Sequence, residues 1–308
     1  MSNLITQKSC IFYDILALDI LGDYMIYQQL SLSDVYKNER LSQVWDVVCD
    51  AHKGQKRKGL NKINEQPDYT SHLFRTMEII VNVLGRPEDA LKNDKLLPFL
   101  VIALTHDMIE DTSFNSEQKL SSALTPIVGM GRAKRIAGVV GELSNPPEGF
   151  IGITKQEQDI AKKKWQMEHA KGMSIPAKMV KMADQISNIV DSVDLQMVAL
   201  SDGNKKGTLW SDDKKKAYAD KALLVCQSCF VGIDRISDVQ KDVFGKLMSL
   251  ANAAYDYAQL KMKNLLVGHM DFFDMISQTQ EAGDEKECLP LMISKKQLAI
   301  VKEYSKIR

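Results

Sequence analysis

The run Ala103-Leu104-Thr105-His106-Asp107-Met108-Ile109-Glu110-Asp111-Thr112 carries four ionisable groups within six residues, directly behind an apolar stretch from Leu96 to Leu104. Residues four apart on a helix share a face, so His106 would stand with Glu110 and Asp107 with Asp111. Charge of that density at the end of a buried helix needs compensation. A divalent metal would provide it, taking an imidazole and a carboxylate as ligands with further carboxylates beside them. The plain alternative is an exposed helix end on which Asp111 and Thr112 begin a turn. Partners elsewhere in the chain must decide between the two.

Two stretches offer such partners. Tyr69-Thr70-Ser71-His72 sets a histidine at a predicted helix start, and Lys181-Met182-Ala183-Asp184-Gln185-Ile186-Ser187-Asn188 carries an aspartate flanked by apolar neighbours that turn it inward. His72, His106, Asp107 and Asp184 together make a mixed nitrogen and oxygen ligand set. Such a set suits Mn²⁺, Fe²⁺ or Zn²⁺ better than a thiolate-loving metal, and it leaves room for water and substrate oxygens. A metal of this kind lowers the pKa of water and supplies hydroxide near neutral pH. Glu110, one turn from His106, is placed to take the proton. Cys226 and Cys229 have the spacing of half a zinc site, but no second pair follows, and their Leu-Leu-Val-Cys-Gln-Ser-Cys-Phe setting reads as the buried face of a helix.

The elements that must position these side chains read as helices. Helical spacing covers residues 41–53, which end in the cationic loop His52-Lys53-Gly54-Gln55-Lys56-Arg57-Lys58-Gly59. It resumes over 69–84, and Glu88 to Asp111 reads as one central helix with Pro98 at a kink or a start. Further helices are expected at 116–124, 132–143, 160–170, 175–193, 210–231 and 239–266, and one or two more in the first 40 residues around Phe12, Ile15, Leu16, Ile20, Leu21, Met25 and Ile26. Residues 144–152 are the clearest loop, and 202–208 read as a polar loop. No convincing strand alternation and no hairpin signal between β-branched runs is read, so the expected fold is all-α.

Ala51-His52-x-Gly54-Gln55-x-Arg57-Lys58, Tyr69-x-x-His72, His106-Asp107-x-x-Glu110-Asp111-Thr112, Lys181-x-Ala183-Asp184-x-x-x-Asn188, and Trp210-Ser211 with Tyr218 and Ala222 follow one another in this order. The series resembles the hydrolase domain of the RelA/SpoT alarmone enzymes within the HD phosphohydrolases. It is most similar to their single-domain relatives, the small alarmone hydrolases, the animal SpoT homologue among them. The resemblance covers roughly residues 41–245 and implies an HD-domain helical bundle, with 1–40 and 246–308 as helical extensions packed on the same domain. It implies Mn²⁺-dependent removal of the 3′-pyrophosphate from guanosine 3′,5′-bis(diphosphate) and its pentaphosphate relative. Carried over by position, His72, His106, Asp107 and Asp184 match the metal ligands, and Glu110 and Asp111 the catalytic acidic pair. Arg57 and Lys58 match a basic pair near the nucleotide, Asn188 a ribose-side contact, and Tyr218 a tyrosine of the ligand pocket. Lys164 in the basic run Lys162-Lys163-Lys164, together with Lys178 and Lys181, offers counter-charge for the remaining phosphates. This chain departs from the family pattern at Gln185, Ser187, Leu73 and the longer loop between Lys58 and Tyr69. Those departures are expected around the nucleotide rather than around the metal. His52 is expected to pack or to bond a ligand from behind.

Composition narrows the partners. Forty basic residues balance forty acidic ones, with 44% hydrophobic and 26% charged residues, which speaks against a general binder of nucleic acid or anionic membrane. No apolar run reaches the roughly 18–20 residues of a membrane span. The N-terminal apolar run is cut by Asp14, Asp19 and Asp23, unlike a signal peptide. Five cysteines without a framework fit a reducing, cytoplasmic setting. No glycine-rich phosphate loop is present, so metal and basic side chains would have to handle phosphate. Too few residues follow position 245 for the second globular unit that a synthetase would need. The expected partner is a small phosphorylated nucleotide. Alternative readings are another nucleotide substrate, such as the 2′-phosphate of NADPH, or a non-catalytic nucleotide-sensing module. The stripe Phe244, Leu247, Leu250, Ala254 and Tyr257 could serve a homodimer, although packing within the chain is the commoner use.

Overall fold

The computed structural model describes residues 27–61, 64–146, 149–152, 154–201, 204–263, 271–273 and 275–276. The helices expected before Tyr27, the fifth cysteine Cys288 and the chain after Ile276 lie outside them. Among the described residues the fold is helical, with one small sheet.

A short helix α1 (Leu32–Tyr36) leads into α2 (Glu39–Ala51), where the Asn38 side chain accepts from the Leu41 backbone N–H and starts the helix. Its Leu41, Val44, Trp45 and Val48 recur at helical spacing and are all buried. Helix α3 (Thr70–Leu84) begins at Tyr69 and is buried along most of its length. The next stretch departs from the sequence reading. Instead of one helix from Glu88 to Asp111 there are three, α4 (Pro87–Lys92), α5 (Leu97–Thr105) and α6 (Met108–Asp111). Asn93 takes an extended backbone, and Pro98, which has no N–H to donate, sits in the first turn of α5. The chain breaks again at Asp107, whose backbone lies at φ −98°, ψ 0°. Met108 and Ile109 carry the apolar pattern through the second break, whereas the polar run Lys92-Asn93-Asp94-Lys95 marks the first.

Helix α5 is apolar all round, and Leu100, Val101, Ala103 and Leu104 are buried in the core. Helices α7 (Glu117–Val128) and α8 (Met130–Leu143) form a pair beside it. Helix α9 (Lys155–Gly172) starts on a capping box made by Thr154 and Glu157. The long α10 (Ile175–Asp194) runs through the middle of the fold and packs against α3, α5, α8, α11 (Asp212–Cys229) and α12 (Asp238–Met262). The stripe Phe244, Leu247, Leu250, Ala254 and Tyr257 is buried within the chain, where α12 lies on α10 and α11. Tyr257 and Lys261 both bond Asp194 at the end of α10. Cys226 and Cys229 are free and buried, as packed thiols should be, and burial raises both pKa values, that of Cys229 to about 12.

The polar loop expected at 202–208 is corrected by a hairpin. Strand β2 (Gln196–Ser201) pairs antiparallel with β3 (Asn204–Leu209) on one side and with β1 (Gly59–Leu60) on the other. Val198 faces Leu209 across β2 and β3, and Gly59 faces Met197 across β1 and β2. The two residues between β2 and β3 are Asp202-Gly203, a pair favoured in two-residue hairpin turns. The lysines of β3 hide the alternation that would have marked the strand. Gly59 is required by close approach, since a Cβ there would lie 2.5 Å from the Leu195 Cβ. No described helix is long and apolar enough to cross a membrane.

Candidate metal centre

Three helices deliver the candidate ligands. The first turn of α3 carries His72, the break after α5 carries His106 and Asp107, and the middle of α10 carries Asp184. His72, His106 and Asp184 are buried, and each offers a donor atom within 4.8 Å of the other two. His72 Nε2 lies 3.2 Å from Asp184 Oδ1, and His106 Nε2 lies 3.8 Å from the same oxygen. Asp107 stands at the edge of this group, with Oδ2 3.2 Å from His106 Nε2 and 4.0 Å from His72 Nε2.

The proton positions favour a cation. His106 Nδ1 is 2.8 Å from the Ala103 carbonyl, which can only accept, so Nδ1 carries a proton and Nε2 is the nitrogen left to meet a cation. That Nε2 is buried and makes no hydrogen bond. Burial alone would lower the His106 pKa, yet Asp107 and Asp184 outweigh it and raise it to about 9. Two carboxylates thus call for positive charge at this point. His72 moves the other way, lowered first by burial and then by the Arg57 charge. Burial opposes ionisation of both aspartates. Even so, the neighbouring His106 holds Asp107 below the usual carboxylate range, and Lys181 and His72 hold Asp184 there. An unpartnered imidazole nitrogen, a second imidazole and two ionised carboxylates fit a divalent cation that accepts nitrogen and oxygen ligands.

A further ring of side chains fixes these ligands, and little in the order of residues marks it. Ser187 Oγ lies 2.9 Å from His72 Nδ1, where it can accept that nitrogen's proton and leave Nε2 free. Gln185 Nε2 donates to Asp184 Oδ2 at 2.8 Å, and Lys181 Nζ donates to the same oxygen at 3.1 Å. Gln185 and Ser187 therefore act on Asp184 and His72 themselves, which corrects the expectation that these departures surround the nucleotide. Leu73 is buried in the core instead. The Tyr69 hydroxyl donates to Asp107 Oδ2 at 2.6 Å and lies 3.0 Å from Asp111 Oδ2, joining the two aspartates expected to share a face. His52 stacks on Tyr69 with ring centroids 5.1 Å apart and bonds Gln55, whose amide donates to the Asp111 carbonyl. His52 thus supports the site from behind.

Glu110 is exposed and turned toward the loop after α8. The Asn145 backbone N–H donates to Glu110 Oε1 and its side-chain amide to Oε2, each at 2.6 Å. Protein crowded around its carboxyl strips part of its hydration, and this, followed by repulsion from Asp107, raises the Glu110 pKa against the opposing pull of Lys181.

The residues expected at the nucleotide divide into two groups. Arg57 is held within the protein: Nε and Nη2 donate to Asp191 at 3.0 and 2.6 Å, and Nη2 also reaches Asn188 Oδ1 at 3.0 Å. Asn188 in turn donates to Asp184 Oδ1 at 2.5 Å. Arg75 makes a second ion pair with Asp191. Lys178 is buried and donates to the Val231 carbonyl, so its charge is turned away from the carboxylates. Lys181 is joined to the site through Asp184. Lys58 and Lys164 are exposed. Tyr218 packs edge-on against Trp210 at 5.3 Å, half-buried, and burial pushes its pKa to about 12.

No protein-family model matches the chain, and no curated protein does. Its structure is similar to that of a solved protein described as a metazoan orthologue of SpoT that hydrolyses ppGpp and plays a role in starvation responses. The likeness covers 70% of this chain and 94% of that one, at 20% sequence identity and a TM-score of 0.43.

Proposed function

We propose that this chain is a divalent-cation-dependent phosphohydrolase that removes the 3′-pyrophosphate of guanosine 3′,5′-bis(diphosphate). The observation that carries the reading is the buried, unbonded Nε2 of His106, set beside Asp107 and Asp184 and sharing Asp184 with His72. The ordered sequence motifs support the choice of substrate. His72, His106, Asp107 and Asp184 hold the cation, with Mn²⁺ the proposed metal. When bound, the cation lowers the pKa of nearby water and polarises phosphoryl oxygens. Glu110, oriented through both oxygens by Asn145, takes the proton of the attacking water. Water oxygen joins the 3′-linked phosphorus, the bond to the ribose 3′-oxygen breaks, and that oxygen gains a proton, giving the nucleoside diphosphate and pyrophosphate. Asp111 shares the Tyr69 hydroxyl with Asp107 and thereby orients Asp107. Arg57 and Asn188 act through Asp184, while Lys58, Lys164, Lys181 and Tyr218 are left to bind the nucleotide and its phosphates. The hydrolase unit spans 41–245.

Incubating the purified protein with Mn²⁺ and guanosine tetraphosphate should release guanosine diphosphate and pyrophosphate. A panel including NADPH and other phosphorylated nucleotides fixes the substrate. Faster phosphate release from another member would move the assignment, and no turnover of any member would refute it. The positioning of His72 is tested separately. Ser187→Ala removes the partner of Nδ1 and is expected to weaken cation binding roughly 10- to 100-fold, as losses behind a metal ligand do. Calorimetric titration with Mn²⁺ reads the change, and an unaltered affinity would remove Ser187 from the site.

A further inference from the structure

Two short segments outside the motif-bearing stretch 41–245 meet on α3. Residues 27–30 come before that stretch and residues 271–273 after it. Arg75, Glu78 and Asn82 follow one another on α3 at intervals of three and four, so they share one face of the helix. Glu78 and Asn82 are buried. Both Glu78 oxygens are used, Oε2 accepting from the Tyr27 hydroxyl at 3.0 Å and Oε1 from the Leu30 N–H at 2.6 Å. Asn82 Oδ1 accepts from the Gln28 N–H at 2.6 Å, and Asn82 Nδ2 donates to the Gln28 carbonyl at 3.0 Å. Two buried polar side chains of one helix thus find their partners in the earlier segment, which fixes its register.

The later segment closes over the same face. Phe272 and Phe273 are buried with ring centroids 5.0 Å apart, and Phe272 packs against Tyr257 of α12 at 5.3 Å. Phe273 touches both halves of the clasp. Its ring lies 5.3 Å from that of Tyr27, and the Arg75 guanidinium carbon lies 5.3 Å from the Phe273 centroid. An aromatic face against a guanidinium favours the charge and limits where it can swing. Arg75 is thereby held between Phe273 and its ion-pair partner Asp191. Arg57 is already paired with Asp191, so this second arginine does more than neutralise it: it ties α10 to the clasp. From Asp191 the contacts run on to the candidate ligands. Arg57 bonds both Asp191 and Asn188, and Asn188 donates to Asp184 Oδ1 at 2.5 Å. Partners behind a metal ligand set its orientation. His72, another candidate ligand, stands three residues before Arg75 on the same helix.

We propose that Tyr27 and Phe273, one from each side of the motif-bearing stretch, are positioning residues for the candidate cation centre: they fix Arg75 against Asp191 and, through Arg57 and Asn188, hold Asp184 in place. The reach to the cation rests on the proposed function, whereas the clasp itself does not. Neither residue belongs to a motif that marks the ligands.

The test is a double-mutant cycle on the full chain. Phe273→Leu keeps an apolar side chain and removes the ring from Arg75, while Arg75→Met keeps the stem and removes the charge. In urea unfolding without metal, the losses in folding constant of the two variants should fall short of multiplying by roughly three- to fivefold, the scale of one cation–π contact. Calorimetric titration with Mn²⁺ reads the reach of the clasp. Phe273→Leu should bind Mn²⁺ about three- to tenfold more weakly than the wild type, and should weaken binding no further once Arg75 is Met. Leu124→Val, in the buried face of α7, should lose stability and keep the wild-type affinity. Equal Mn²⁺ affinity in Phe273→Leu and wild type would overturn the positioning role, and fully multiplicative losses would overturn the clasp. A wild type that binds no Mn²⁺ would overturn the positioning role together with the cation centre. Mn²⁺ binding that depends on Phe273, without turnover of guanosine tetraphosphate, would refute the proposed reaction and leave the positioning role standing.

Discussion

Asp107→Asn is expected to lose cation affinity and turnover together. The substitution keeps the shape of the side chain and an oxygen to accept from Tyr69, so the fold around α5 and α6 should persist. What it removes is one of the two charges that raise His106. With a charged ligand gone, Mn²⁺ affinity should fall about a hundredfold or more. Turnover at saturating metal should fall by roughly three orders of magnitude, which corresponds to about 4 kcal/mol of lost transition-state stabilisation. Calorimetry reads the first quantity and pyrophosphate release the second, while thermal melting without metal checks the fold. A variant that melts normally, binds Mn²⁺ as the wild type does and turns over normally would remove Asp107 from the centre. Because Asp107 stands outside the tight group of His72, His106 and Asp184, its loss tests how wide the centre is.

The second large effect concerns stability. Asp191 is buried near the end of α10 and neutralises two arginines from separate segments, Arg57 from the loop before β1 and Arg75 from α3. Asp191→Ala would leave both guanidinium groups in a site built around the missing carboxylate. Breaking one partner out of such a buried pair costs about 3–5 kcal/mol. Urea unfolding should show a lower midpoint with an unchanged slope. A change below about 1 kcal/mol, the scale of an exposed ion pair, would contradict the assignment. Burial works against the Asp191 charge, but Arg75 and Arg57 prevail and lower its pKa in the folded chain. Its contribution is therefore complete above the unfolded aspartate value and disappears as the pH falls through the lower folded value. The wild type and Asp191→Ala should accordingly converge in stability only in strong acid. Asp191 also holds Arg57, and through Asn188 that arginine reaches Asp184, so cation affinity should fall in the same variant.

The parts of this arrangement that could be read in the sequence depend on local spacing. His106, Asp107, Glu110 and Asp111 stand next to one another, and His72 and Asp184 each sit on a helix whose apolar pattern turns them inward. What could not be read depends on where separate segments meet. Ser187 is 115 residues from His72, and only the packing of α10 on α3 makes it a partner. Asn145 reaches Glu110 across 35 residues from an irregular loop. Arg57, in a basic run that suggests an anion contact, is claimed by Asp191, 134 residues away. The break between α5 and α6 was hidden because Met108 and Ile109 continue the apolar pattern, although the turn at Asp107 separates Glu110 from the core. The β2–β3 hairpin carried a signal in Asp202-Gly203, masked by the charged residues after it.

The most direct measurement is anomalous diffraction from a crystal of the full chain grown with Mn²⁺. A single peak among His72 Nε2, His106 Nε2 and the carboxylates of Asp107 and Asp184 is the expected result. A peak elsewhere, or none at saturating metal, would contradict the cation centre and the hydrolytic function built on it.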